Sequence, residues 1–137
     1  AVLALGRRVP GLDLTGVEVQ ADCAALARRN AIDNAIALRV ITADVAALPP
    51  ALRQEAFDHV MMNPPYFDRS AGLAATDPGR DLALGGPLPL ASWLAAAARR
   101  LRPGGRLTLI QRSARLADIL AGLDGRLGSV EIRPLAA

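Results

Sequence analysis

Phe57-Asp58-His59-Val60-Met61-Met62-Asn63-Pro64-Pro65-Tyr66-Phe67 is the stretch that decides the fold, because a short apolar strand runs straight into two prolines. Neither proline has an N–H to give a sheet ladder, so the backbone must leave the sheet at Asn63 in a rigid, extended bend. The bend presents an amide side chain, a proline carbonyl and an aromatic ring at the strand's C-terminal edge. Two acceptors and a ring face suit a planar amino group: its two N–H bonds find acceptors and its plane finds a stacking partner. The plainer reading is a turn, since Asn and Pro are ordinary turn residues.

Outward from this stretch, helix and strand patterns alternate. Ala1 to Arg8 has the look of a helix tail, closed by Val9-Pro10-Gly11. Leu14 to Val19 is a strand candidate. Ala21 to Ile32 reads as a helix, with Cys23, Leu26, Ala27 and Asn30 at the i, i+3, i+4, i+7 spacing of one face. Leu38 to Thr42 is a β-branched strand candidate ending at Ala43-Asp44, and a short helical turn is expected near Ala51 to Gln54. Residues 63–87 are rich in Gly, Pro and Asp, a length more typical of a lid or binding loop than of a connector. Pro89 opens a helix running to Leu101, and Arg102-Pro103-Gly104-Gly105 stops it. Arg106 to Gln111 is the next strand, Ser113 to Leu123 a helix, and Leu127 to Arg133 a last strand. Strands separated by helices imply βαβ units, hence an α/β fold with a doubly wound, mostly parallel sheet.

With 137 residues the chain is expected to form a single domain with a sizeable core. No run approaches the ~18–20 apolar residues that cross a bilayer, and no leader pattern is visible, so no membrane partner and a cytoplasmic location are expected. Cys23 is the one cysteine, which excludes an internal disulfide and a multi-cysteine zinc site. It falls where a small buried residue is expected, and no metal is expected anywhere. His59, alone in an apolar strand, reads as a packed or edge residue. The net charge of +3, carried entirely by arginine on the basic side, is compatible with an RNA partner without requiring one.

Three strand candidates finish in polar residues: Glu18, Asp44 and Asn63. In a doubly wound sheet, ligands occupy the crevice at the carboxyl ends of the strands. Glu18 can accept from ribose hydroxyls, and Asp44 from an adenine exocyclic amine, with Val19 and Val45 sandwiching the ring. Taken singly each acid reads as a solvated loop residue, or as an N-cap in the case of Asp44. Jointly they outline an adenosine pocket beside an amine-gripping bend.

On these residues the chain resembles the class I S-adenosylmethionine-dependent methyltransferases that modify planar nitrogen atoms. Asn63-Pro64-Pro65-Tyr66 resembles their signature, Thr15-Gly16-Val17-Glu18 the ribose-binding strand end, and Ala43-Asp44-Val45 the adenine-binding turn. Leu101 to Leu107 resembles the turn into the fifth strand of their Rossmann-like sheet. Phe67 and the Asp/Gly-containing loop after it are most similar to the bacterial adenine-N6 methyltransferases acting on valine tRNA. The resemblance implies an S-adenosyl-L-methionine cofactor held by Glu18, Val19, Asp44, Val45 and Asn63, and a tRNA or other RNA substrate. Asn63, Pro64 and Tyr66 would then be catalytic, with Pro65, Tyr66 and Phe67 contacting substrate. Protein-glutamine methyltransferases of release factors share the four signature residues, and a non-catalytic Rossmann-like binding module is the reading outside the enzymes. The Gly-rich cofactor loop and its strand are not in the sequence, so the chain is expected to be part of a longer domain. A first and a last strand are expected beyond its ends.

Overall fold

A computed structural model describes residues 1–65, 88–123 and 125–135. The chain divides into two compact units, Ala1–Leu52 and Arg53–Ala137. Tyr66, Phe67 and the rest of the expected long loop, to residue 87, lie outside the described residues.

In the first unit, α1 (Val2–Arg8) precedes β1 (Leu14–Glu18), α2 (Ala21–Asp33) and β2 (Leu38–Thr42). A 3-10 turn at Val45–Ala47 and the short α3 (Pro50–Gln54) follow. β1 and β2 pair in parallel from Leu14 opposite Leu38 to Glu18 opposite Thr42. That is the expected βαβ unit, with α2 as its crossover. The helix ends because Ala35 turns left-handed (φ 53°). Its last carbonyls are then satisfied by a Schellman-type bond from Ile36 N–H to Ala31 C=O at 2.9 Å. Arg28 on α2 donates to the Val40 carbonyl and the Thr42 hydroxyl, both at 2.9 Å, tying the crossover helix to β2. Across the ladder, the Arg39 guanidinium donates to the Thr15 hydroxyl of its register partner.

The buried side of α2 is offset from expectation. Ala24 and Ala31 are buried, whereas Leu26 is 58% exposed and Cys23 lies in the open. Two alanines seven residues apart let the helix sit close over the β1–β2 ladder, and the larger Leu26 falls on the other face. Composition alone could not separate the two faces, because alanine offers little hydropathic contrast with its neighbours.

In the second unit, β3 (Phe57–Met62) and β4 (Leu101–Leu109) pair in parallel, with α4 (Leu90–Arg100) before β4. A 3-10 turn at Ser113–Arg115 and α5 (Leu116–Leu123) complete the unit. Leu90, Leu94 and Ala97 form the buried stripe of α4, and Leu94 is 1% exposed. Burying a side chain of that size stabilises the fold by ~1.5–3 kcal/mol. α5 comes close to α4 at Gly122, where an added Cβ would sit 2.5 Å from Leu94 Cδ1. Arg100 donates to the carbonyls of Arg53 and Glu55, fastening the end of α4 to the approach into β3.

Two strand expectations change. β4 begins at Leu101, not Arg106, so Arg102-Pro103-Gly104-Gly105 lies within the strand. The register passes from Phe57 opposite Leu101 to His59 opposite Arg106, leaving Asp58 alone to face those four residues in a bulge. Gly104 takes φ 77°, which the bulge needs. Arg102 Nη1 meets both Asp58 carboxylate oxygens at 2.7–2.8 Å across it. Both partners are largely exposed, so this pair contributes at most ~1 kcal/mol. Packing matters more here. A Cβ on Gly105 would lie 2.9 Å from the Arg102 carbonyl and 3.2 Å from the Asp58 carbonyl, backbone atoms that cannot step aside cheaply. Gly105→Ala is therefore expected to destabilise the protein by ~1–3 kcal/mol in a urea titration, and an unchanged midpoint would contradict the close approach.

The second change concerns Leu127 to Arg133, which forms no strand. Ser129 is left-handed (φ 54°), interrupting extension, while Val130 and Ile132 are 52% and 58% exposed. The alternation is present, but among the described residues no ladder takes it up. His59 matches its expectation as an edge residue: its Nε2 lies 2.7 Å from the Thr108 hydroxyl across the ladder, and the side chain is exposed.

Candidate active site

Glu18 and Asp44 come to the same end of the β1–β2 ladder because the strands are parallel and in register. Glu18 is the last residue of β1 and faces Thr42, and its carbonyl accepts from Ala43 N–H at 3.0 Å. That bond carries the pairing one step past β2 and delivers Asp44 directly after it. The Glu18 carboxylate is braced: Oε1 accepts from the backbone N–H of Gln20 at 2.9 Å. Gln20 is the N-cap of α2, so the carboxylate also faces the positive end of that helix. Its second oxygen has no partner among the described residues.

Asp44 is the N-cap of the 3-10 turn, and its Oδ1 accepts from Ala46 N–H at 2.8 Å. The plain N-cap reading is thus the one its geometry carries. Capping uses one oxygen and leaves the other without a partner among the described residues. Of the two valines expected to flank a ring, Val19 is 48% exposed and Val45 is half-buried. A hollow of about 280 Å³ in this unit lies elsewhere, at the N-terminal ends of the strands among Gly6, Pro10, Leu14 and Ile36. It has no carboxylate in its lining and is not the expected nucleoside site.

In the second unit, Asn63 follows β3 immediately and is exposed. Its side chain makes no hydrogen bond within the described residues. Pro64 is fully buried and Pro65 half-buried, so the bend is anchored by its own rings. The ladder continues through one more bond, Ile110 N–H to Met62 C=O at 3.1 Å, and then stops. Past that point the Pro64 and Pro65 carbonyls receive the Gln111 side-chain amide, at 3.3 and 3.2 Å.

Gln111 was not among the residues expected to matter. Its contact with the bend spans 46 or 47 positions in sequence and has no local pattern. The available signal was its place at the end of the strand paired with β3. Tyr66 and Phe67, expected to stack on substrate, lie outside the described residues. Among the described residues no group of His, Cys, Asp or Glu side chains could hold a metal ion. No helix among them is long and apolar enough to cross a membrane.

This α/β arrangement, with parallel strands presenting polar residues at their carboxyl ends, is that of Rossmann-like methyltransferases. Residues 2–78 match the model of the methyltransferase small domain, and the chain belongs to that family. It is 34% identical, over 122 residues, to a protein of Porphyromonas gingivalis named tRNA1(Val) (adenine(37)-N6)-methyltransferase. The counterpart from a second strain is 33% identical. Each match covers 85% of this chain and 47% of the relative, so the chain spans about half the length of the curated relatives it matches. A crystal structure of a predicted O-methyltransferase from Agrobacterium tumefaciens superposes with a TM-score of 0.65 at 29% identity. That match covers 88% of this chain and 53% of the other.

Proposed function

We propose that the chain is part of an S-adenosylmethionine-dependent enzyme that methylates the N6 amine of adenine in RNA, with tRNA as substrate. The observation that carries this reading is the exposed Asn63 amide, without a partner among the described residues, beside two proline carbonyls held at the end of β3. The Porphyromonas relatives favour an adenine in valine tRNA over a protein glutamine as the target. A tRNA substrate also fits the expected cytoplasmic location.

The donor set suits the cofactor. Each of Glu18 and Asp44 keeps one carboxylate oxygen uncommitted, for a ribose hydroxyl and an adenine amine respectively. Val19 and Val45 offer apolar surface to the purine faces. When bound, S-adenosylmethionine supplies an electrophilic methyl group on a cationic sulfur.

The chain's own task is to make a poor nucleophile reactive. The lone pair of adenine N6 is delocalised into the ring. Asn63 Oδ1 and the Pro64 carbonyl would each accept one N–H of the amine, favouring a pyramidal nitrogen whose lone pair points away from the ring plane. No strong base is needed before attack, because the nitrogen's proton becomes acidic only once the new bond forms. Positioning and fixed dipoles therefore supply most of the acceleration. Tyr66 would stack on the target base once it is displaced from its neighbours.

The test is methyl transfer by the full-length protein from radiolabelled S-adenosylmethionine to a valine tRNA transcript, with a release factor offered in parallel. Nuclease digestion should yield N6-methyladenosine. Label in the release factor alone would replace this reading with glutamine methylation. Tyr66→Ala is expected to lower kcat/KM for the tRNA by ~10-fold or more, the loss of one base–aromatic stack. Unchanged kcat/KM would remove Tyr66 from the substrate contacts.

A further inference from the structure

We infer that Gln111 is a positioning residue for the Asn63-Pro64-Pro65 bend, holding the carbonyl that receives the substrate amine; this rests on the proposed reaction. β3 can offer the ladder no backbone donor beyond Asn63, since the next two residues are prolines and have no N–H. Their carbonyls consequently project past the end of the sheet with no backbone N–H to meet them. Gln111, two residues past the end of β4, fills that gap from the neighbouring strand: its Nε2 donates to Pro64 C=O at 3.3 Å and to Pro65 C=O at 3.2 Å. The amide cannot turn over, because its Oε1 accepts from Arg112 N–H at 2.9 Å while Nε2 faces acceptors only.

The bend is thereby fixed by three independent restraints. Pro64's ring is fully buried, the Ile110–Met62 bond closes the ladder just before it, and Gln111 straps the carbonyls just after it. Both Gln111 contacts are long for N–H···O bonds, so they direct the Pro64 oxygen more than they occupy it. A carbonyl oxygen has two lone pairs, and the second stays open to a substrate N–H. An acceptor displaced by even an ångström serves the transition state far less well than the ground state, so the strap acts on turnover and not on cofactor binding.

Two variants separate this role from simple packing. Gln111→Glu preserves shape and the acceptor for Arg112 N–H but points a carboxylate at two carbonyl oxygens. Gln111→Ala only removes the strap. In single-turnover methyl transfer to tRNA at pH 8, Ala is expected to slow the reaction about 10-fold and Glu more than Ala, with S-adenosylmethionine affinity unchanged in both. A packing role gives the reverse order, with the isosteric Glu milder than Ala, and that order overturns the inference. So do two variants as fast as wild type.

A second readout needs no activity. Pro65-Tyr66 is the one Pro-Tyr step in these 137 residues, so carbonyl-¹³C proline and ¹⁵N tyrosine labelling gives an NMR correlation that reports the Pro65 carbonyl and is identified by its loss in Tyr66→Phe. Its ¹³C resonance is expected to move upfield in Gln111→Ala, and an unmoved resonance would show that no strap exists in solution. If wild type methylates no RNA while the resonance still moves, the proposed reaction fails and the strap itself stands.

Discussion

Replacing Asn63 with alanine is expected to slow single-turnover methyl transfer by at least ~100-fold, the usual consequence of deleting one fixed polar group aimed at a reacting centre. The physical basis is that, in the proposed reaction, the target amine has two N–H bonds and the bend would offer one acceptor for each. Without the Asn63 oxygen, one N–H returns to the ring plane and the lone pair returns to the π-system. The same substitution should leave stability within ~0.5 kcal/mol, because Asn63 is exposed and supports nothing else among the described residues. Cofactor affinity should fall much less than the rate. Asn63→Asp keeps an acceptor in the same place and should lose less than Asn63→Ala. Rapid-quench kinetics with saturating cofactor check this ranking, and equal rates for wild type and Asn63→Ala would refute the assignment.

The contrast between Asn63 and Gln111 shows which parts of the bend the sequence can reveal. The chain's exit from the sheet at Asn63 was legible because its signal is local: an apolar strand meeting two prolines leaves the backbone one place to turn. The Gln111 contact was not, because it arises from the pairing of β3 with β4, residues nearly fifty positions apart. The same distinction governs the fold. Leu38 to Thr42 was read to the residue from β-branching and the polar step after it. The start of β4 was misread because Pro103-Gly104-Gly105 signals a stop locally, whereas a parallel partner lets the ladder run through it as a bulge. Leu127 to Arg133 failed in the opposite sense, having strand-like alternation but no partner among the described residues. Strand formation depends on the neighbour as much as on the strand. Asp44 shows a third limit. Capping and ligand binding ask for the same residue at the same strand end, and its geometry satisfies the first without consuming the oxygen the second would use.

Glu18 carries the second large expected effect, and its two oxygens have separable jobs. Oε1 braces the start of α2 through Gln20 N–H, while the other oxygen is the one proposed to meet the ribose. Glu18→Ala removes both, and S-adenosylmethionine affinity should fall by ~10–100-fold, in keeping with a lost hydrogen bond to a charged acceptor. The lost brace should add a stability cost of about 1 kcal/mol, as for other N-terminal caps. Glu18→Gln keeps an acceptor for Gln20 N–H but loses the charge, so it should spare stability while still weakening the cofactor. Calorimetric titration with S-adenosylmethionine, read beside urea denaturation of the same samples, distinguishes the two jobs. If affinity followed stability in both variants, Glu18 would be a helix brace alone. If Glu18→Ala bound cofactor as wild type does, the β1 end would have no part in holding it. A loss of affinity in Glu18→Gln at full stability is the one result that requires an acceptor facing the ligand, since Gln keeps the oxygen that receives Gln20 N–H and turns only the free, charged oxygen into a neutral, donating NH2 group.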